Sequence, residues 1–370
     1  MAYFISETGQ ELLADVKRFC NLEIYNKNVF SPEEARKTMC QMGYQTLTIP
    51  EELGGPGIGC IDVAAILEEL AKADAGLAVT LAGSNLALRA VFESGSEEQK
   101  ARACNILAEG GLGAFCLTEA EAGSDASNIK TRAVPLGDGS YRLTGTKQFI
   151  TNGGIASFYV VAAKCEGTEE ISLFIIEAGA ENLQPGDEEE KLGINSCNTC
   201  AVDLNECVVS KEAVIKDGMK AVLAALNEGR AYMAAMAVGV AERATEEAIK
   251  YGKERKQFDK PITDNQAIRF KLADMKIKTE AARQLTAYAL EKMEKGLDFS
   301  SEAAMAKAFA ADTAIEVSGS AMDIFGGCGY MKQYPVEQLL RDARVFGIIE
   351  GTAEMQKTLI SDKMLKGERG

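Results

Sequence analysis

The chain has 370 residues, 46% of them apolar, which is enough for two or three structural units around a large core. Its formal net charge of −15 leaves no broad basic surface for a phosphate backbone and argues against nucleic-acid binding, although a few local Arg, Lys and N–H groups suffice for a small cofactor's phosphates. The absence of His removes Ser-His and Cys-His nucleophiles and leaves proton transfer to carboxylate, Lys, Tyr or Cys.

No continuous apolar run reads as long enough to span a bilayer, and the start Met1-Ala-Tyr-Phe-Ile-Ser-Glu7 lacks a basic region followed by an apolar core. A soluble, cytoplasmic protein with no membrane insertion is therefore expected. The 10 cysteines then read as reduced thiols rather than a disulfide framework. Cys197 and Cys200, with Cys207 beyond, have metal-like spacing but no local fourth ligand, so no metal site is expected.

From Ser6 to about Leu112 the apolar residues recur at helical spacing, as in Asp62 to Lys72 and Asn85 to Phe92. Within this unit the Gly-rich stretch Gly54-Gly-Pro-Gly-Ile-Gly59 reads as a surface connection, because it lacks the strand-turn-helix context of a phosphate loop. Between Ala114 and about Val214 short β-rich runs follow: a hairpin of Ala133 to Leu136 and Tyr141 to Leu143 around Gly137-Asp-Gly139, then strands at Phe158–Ala163, Ile171–Ile176 and Cys200–Leu204. These predict a compact antiparallel β domain, with 182–191 as a solvated acidic excursion. After Lys216 four long helices are predicted, Met219 to Gln257, Asn265 to Lys295, Glu302 to Ile324 and Val336 to Leu365, forming a four-helix bundle. The fold class is thus α+β, mostly α, with units at 1–112 (helical), 113–215 (middle β) and 216–370 (helical bundle).

Five segments point to chemistry: Phe115-Cys-Leu-Thr-Glu-Ala-Glu-Ala-Gly-Ser-Asp125, Gly145-Thr-Lys-Gln-Phe-Ile-Thr151, Arg255-Lys-Gln-Phe258, Ile324-Phe-Gly-Gly327 and Ile349-Glu-Gly-Thr352. In order and spacing they resemble the acyl-CoA dehydrogenase family. The resemblance extends through Pro50 to Gly55, Glu68 to Asp74 and Gly95 to Lys100, and so covers nearly the whole chain. It implies the three-unit fold above and a flavoenzyme of fatty acid metabolism that binds FAD and an acyl-CoA. Such an enzyme forms the trans-2-enoyl-CoA, or runs in reverse as a reductase, and exchanges electrons with an electron-transfer flavoprotein.

Taking an α proton from a thioester needs a base aimed at that carbon and donors for the carbonyl oxygen. Glu350 is the leading base, since it lies between the apolar stretch Phe346 to Ile349 and Gly351-Thr352, where desolvation raises its pKa and Gly admits close approach. The structural alternative is a helix-starting Glu with Gly and Thr as turn residues. The resemblance places the family's base at this Glu, whose backbone N–H would polarise the thioester carbonyl. Where some members carry the base on an earlier helix before an Arg, this chain has Gly229 before Arg230, and Glu228 is the next candidate.

By the same resemblance Phe115, Leu117, Thr118, Gly123 and Ser124 border the flavin ring and pyrophosphate, and Phe149, Ile150 and Thr151 line the ring. Arg255, Gln257, Phe258, Asp323, Gly326 and Gly327 would reach the nucleotide of a neighbouring subunit, which implies a homo-oligomer, a tetramer built as a dimer of dimers. Thr352 and Glu354 complete the cofactor set, while Ser124, Asn227, Arg230 and Gly351 would contact the substrate. Departures from the pattern are Ala120 for Pro, Asp259 for Gly, Asn265 for an aromatic residue and Asp323 for Gln; a carboxylate beside phosphates is unfavourable unless it bonds a ribose hydroxyl. An oxidase of the same fold and a non-catalytic scaffold are the competing readings, and the intact Glu350, Ser124 and Thr151 argue against the scaffold.

Overall fold

The computed structural model describes residues 4–26 and 30–367. Met1, Ala2 and Tyr3, on which the reading of the amino-terminal start partly rests, lie outside the described residues, as do the outermost positions of the first and third units.

The amino-terminal third is helical: α1 (Glu7–Phe19), α2 (Pro32–Gln41), α3 (Cys60–Ala73), α4 (Ala75–Ser94) and α5 (Glu97–Ala108). Ser6 starts α1 by accepting from the Gly9 N–H at 3.0 Å, and its own N–H and hydroxyl donate to Asp62 of α3, pinning the first helix to the third. Asp74 ends α3 and caps α4, where it accepts from the Leu77 N–H at 2.8 Å. Helix α4 is 20 residues long and, although Asn85, Arg89 and Glu93 interrupt it, apolar enough to cross a bilayer by length and composition. Almost wholly buried in protein, it is the central core helix of this unit, and its apolar surface is what lets it pack on every side.

The middle third holds β1 (Gly113–Cys116), β2 (Arg132–Pro135), β3 (Tyr141–Thr151), β4 (Phe158–Cys165), β5 (Ile171–Glu177), β6 (Leu183–Pro185), β7 (Thr199–Val209) and β8 (Val214–Ile215). They form one sheet in the order β6-β7-β3-β2-β4-β5-β8, with β1 also on β4. The expected hairpin is β2 and β3, in antiparallel register with Ala133 opposite Leu143. The sheet is not wholly antiparallel, since β4 pairs in parallel with both β1 and β2. Long connections reach β4 from each of these strands, and such crossovers permit parallel pairing where a two-residue turn does not. Along β4, Phe158, Val160 and Ala162 face one core while Tyr159, Val161 and Ala163 face another, so period-2 alternation buries both sides.

The last third opens with α6 (Gly218–Glu254), which packs against α3 and α4 on one side and against α7 (Gln266–Glu294) and α8 (Ser300–Phe325) on the other. A small hairpin, β9 (Lys256–Gln257) and β10 (Lys260–Pro261), separates α6 from α7. The single fourth helix expected over Val336–Leu365 is two helices, α9 (Pro335–Ala343) and α10 (Ala353–Lys366). The break falls at Glu350 and Gly351, whose φ angles of 55° and 93° are left-handed and cannot continue an α-helix.

Candidate active site

Glu350 therefore stands at a strained corner rather than at a helix start, because a non-Gly residue in the left-handed region persists only when its surroundings hold it there. Those surroundings are donors to two successive carbonyls. Arg230 Nε on α6 donates to the Glu350 carbonyl at 3.2 Å, as does Gln356 Nε2 at 3.2 Å, while Gln356 Nε2 and Lys307 Nζ on α8 donate to the Gly351 carbonyl at 2.9 and 2.6 Å. Arg230 is itself oriented by Asn227 Oδ1 at 2.7 Å.

The carboxyl of Glu350 is left free by this arrangement. Its Oε2 is fully buried and has no hydrogen-bond partner. Burial pushes its pKa up to about 7, against the lowering influence of Arg230 and Lys307. Burial likewise lowers the Arg230 guanidinium from its ordinary value, with Glu350 opposing. Behind the carboxyl lies Gly229, where a Cβ would come within 3.2 Å of Oε2. Glu228 points elsewhere: buried and raised to about 7 by desolvation, it is engaged by Arg89 of α4 at 3.0 Å.

The second constellation sits on the sheet. The Gln148 N–H donates to the Thr118 carbonyl at 2.8 Å, which brings the segment after β1, with Leu117 and Thr118, against the end of β3. Between Lys147 and Ile150 the β3–β7 register slips, and Phe149 there has a φ of 57° and is 64% exposed. The bulge thus expels the Phe149 ring from the sheet while Ile150 returns to the core. Phe115, Thr118 and Thr151 are half-buried beside it, and Gly123 and Ser124 lie exposed on the following loop, with open space where a Gly123 Cβ would stand. Helix α4 joins this constellation to the first: a side chain at Gly83 would collide with Thr151, and one turn later Leu86 abuts Gly229 beside Glu350.

The third group is remote. Arg255 ends α6, 25 positions beyond Arg230, which is about 37 Å at 1.5 Å per residue. Gln257 and the hairpin tip Phe258-Asp259 are exposed there, with Phe258 at 91% and φ angles of 51° and 60°, a two-residue turn in which Asp replaces Gly at tolerable strain. Asp323 pairs with Lys271 at 2.7 Å, so its charge is offset within the chain. Gly326 has φ 59° and ψ −136°, open to Gly alone, and neither Gly326 nor Gly327 has a neighbour where a Cβ would stand. The Asn265 amide bonds the Ile262 carbonyl at 3.1 Å and serves its own turn. Thr352 caps α10, accepting from the Met355 N–H at 3.4 Å, and Glu354 is exposed in the first turn. Cys197, Cys200 and Cys207 are buried free thiols.

Models of three acyl-CoA dehydrogenase domains match the chain in succession, the N-terminal domain over residues 6–111, the middle domain over 114–207 and the C-terminal domain over 216–365. The chain belongs to the acyl-CoA dehydrogenase family. It is 40% identical over 353 residues to an acyl-CoA dehydrogenase of Bacillus subtilis (strain 168), covering 93% of each. It is 39% identical over 343 residues to the caffeyl-CoA reductase–Etf complex subunit CarC of Acetobacterium woodii, covering 90% of each. The solved butyryl-CoA dehydrogenase of Megasphaera elsdenii superposes with a TM-score of 0.94 at 36% identity, over 99% of this chain and 100% of that one.

As a member of the acyl-CoA dehydrogenase family the chain is an enzyme, and the family is FAD-dependent. The residues present fit that cofactor: the bulged, exposed Phe149 and the open Gly123, Gly326 and Gly327 backbones leave room for a bound group, and the orphaned Glu350 oxygen is left for a substrate beside it.

Supporting residues escaped the sequence reading. Lys147, fully buried on β3, donates to the Leu117 carbonyl at 3.1 Å and to Glu119 at 2.7 Å, and Glu119 also accepts from the Thr131 N–H at 3.0 Å, so this pair ties three segments beneath Thr118. Asn152, left-handed at φ 63°, donates to the Thr80 and Gly113 carbonyls and locks the end of β3 onto α4. Lys307 and Gln356 were missed as well. A lone Lys inside an alanine-rich helix was the one available signal for Lys307; none marks Gln356.

Proposed function

We propose that this chain catalyses α,β-dehydrogenation of an acyl-CoA thioester to the trans-2-enoyl-CoA, with Glu350 accepting the α proton at Oε2. The observation that carries the reading is this oxygen, buried, without a partner and raised to about 7, since a base works best when its pKa lies near the operating pH. When bound, FAD supplies the acceptor for the β hydride. Phe115, Leu117, Thr118, Gly123, Ser124, Phe149, Ile150, Thr151, Thr352 and Glu354 would hold it, and Ser124, Asn227, Arg230 and Gly351 would orient the substrate. Arg230 and Gln356 fix the corner so that the carboxyl points free of the backbone, and Gly229 leaves it room.

Arg255, Gln257, Phe258, Asp323, Gly326 and Gly327 belong in this reading to the FAD site of a neighbouring protomer. The length of α6 supports it, because one protomer cannot bring Arg255 and Glu350 to the same pocket across about 37 Å. The assembly is then a homo-oligomer, a dimer of dimers, of chains divided at 1–112, 113–215 and 216–370. An electron-transfer flavoprotein is the electron partner, which the likeness to a subunit of an Etf complex supports; the reductase in that relative's name makes the reverse direction equally compatible. The free thiols fit a reducing cytoplasm. Anaerobic titration of the purified protein with a panel of straight-chain and aryl acyl-CoAs tests the reaction. Bleaching of the flavin absorbance by one of them is expected, and a flavin that none bleaches contradicts it.

A further inference from the structure

The bundle buries a cation to which the reaction gives no task. Lys307 is 1% exposed in the run Ala303-Ala-Met-Ala-Lys-Ala-Phe-Ala310 of α8, where an ammonium is costly unless it is bonded and near opposite charge. Its Nζ donates to the Gly351 carbonyl at 2.6 Å. Burial lowers its pKa to about 8; Glu350, Asp312 and Glu354 face it as anions and Arg230 as a cation.

We propose that Lys307 is a positioning residue for Glu350, its ammonium clamping the Gly351 carbonyl to hold the left-handed corner and its charge keeping the unpartnered carboxyl ionised. The inference rests on the reading of Glu350 as the base. Of the two roles the charge weighs more. The backbone of the corner has other donors, Gln356 on both carbonyls and Arg230 on one. Among the described residues two cations act on the carboxyl, Arg230 from α6 and Lys307 from α8, and both donate to backbone carbonyls of the corner rather than to the carboxyl itself.

Removing one of two nearby cations raises a carboxyl by about one unit. From a pKa of about 7, that leaves roughly one-tenth instead of half of Glu350 ionised at pH 7, so proton abstraction slows about fivefold. The loss is recovered at higher pH. Above about pH 8 the parent sheds its own Lys307 proton and the two rate profiles converge.

Infrared pH titration of the Glu350 carboxyl, read on the flavin-loaded oligomer as the difference between each protein and its Glu350→Gln counterpart, tests this without any substrate. Lys307→Gln keeps an N–H donor for the Gly351 carbonyl and discards the charge; its Glu350 midpoint should rise by about one unit. Lys307→Arg, which keeps the charge, should titrate no higher than the parent. A parental midpoint in Lys307→Gln overturns the proposal. Should that variant fail to fold, Lys307→Arg carries the test, and an upward shift there overturns it. The base assignment fails separately, if Glu350→Gln is reduced by acyl-CoA at the parental rate whatever the midpoints.

Discussion

Gly229→Ala separates the geometry of the base from the stability of the fold. The new Cβ would lie 2.9 Å from Leu86 Cδ1, 3.2 Å from Glu350 Oε2 and 3.3 Å from Glu350 Cδ. Carbon contacts are best at about 3.5–4.0 Å, so the Leu86 end must retreat by about 0.6 Å and the carboxyl by a few tenths. Leu86 Cδ1 is the far end of a flexible side chain, which puts the overpacking cost near the low end of about 1–3 kcal/mol. Ala in a helix interior regains about 1 kcal/mol over Gly. These terms nearly cancel, and the melting temperature should move by only a few degrees. Catalysis has no such compensation, because a displacement of about 1 Å costs about 10²-fold and a few tenths about tenfold or less. Differential scanning calorimetry alongside stopped-flow flavin reduction should show a near-parental melt with a several-fold slower reduction. A parental rate would refute the claim that Gly229 makes room for the carboxyl, and a loss of stability above about 3 kcal/mol would refute the claim that Leu86 yields.

Asp342→Asn tests the buried carboxyl that accepts the Ile194 N–H at 2.5 Å. Burial, aided by Asp74, raises Asp342 from 3.8 to about 6, so its stabilising contribution is full below about pH 4 and is lost as pH rises through 6, about 3 kcal/mol in all. The variant should show a flatter dependence of melting temperature on pH between 4 and 6, and an unchanged slope would contradict this. Phe258→Ser alters a side chain 91% exposed within its own chain, so secondary structure should persist while flavin occupancy falls; full flavin retention would argue against its place in a partner's site. Thr352→Ala removes the cap of α10 and should cost about 1 kcal/mol, read by denaturant midpoint.

The succession of helices, sheet and helices was legible because apolar spacing changes period at Ala114 and again after Lys216. The corner at Glu350 was not, since the residues from Val336 to Leu365 keep helical spacing and the left-handed pair is imposed by donors from α6, α8 and Gln356, far away in sequence or pattern. Parallel pairing of β4 escaped for a related reason, as strand patterns say nothing about which neighbours long connections deliver. Phe149 could be placed at the flavin by resemblance, yet its exposure comes from a register slip against β7 that its own sequence does not announce. Lys307 and Lys147 look like breaks in apolar periodicity and are instead buried polar anchors, each explained only by carbonyl or carboxylate partners brought by other segments.

Anaerobic stopped-flow reduction of Glu350→Gln by an acyl-CoA that bleaches the parent measures the central claim most directly. The amide keeps the size of the side chain and leaves the Arg230, Lys307 and Gln356 bonds to the backbone in place, but cannot accept the α proton. The account predicts a folded, flavin-loaded protein whose flavin reduction is slower by at least about 10²–10⁴-fold. A well-folded variant reduced at the parental rate would contradict it and turn attention to Glu228.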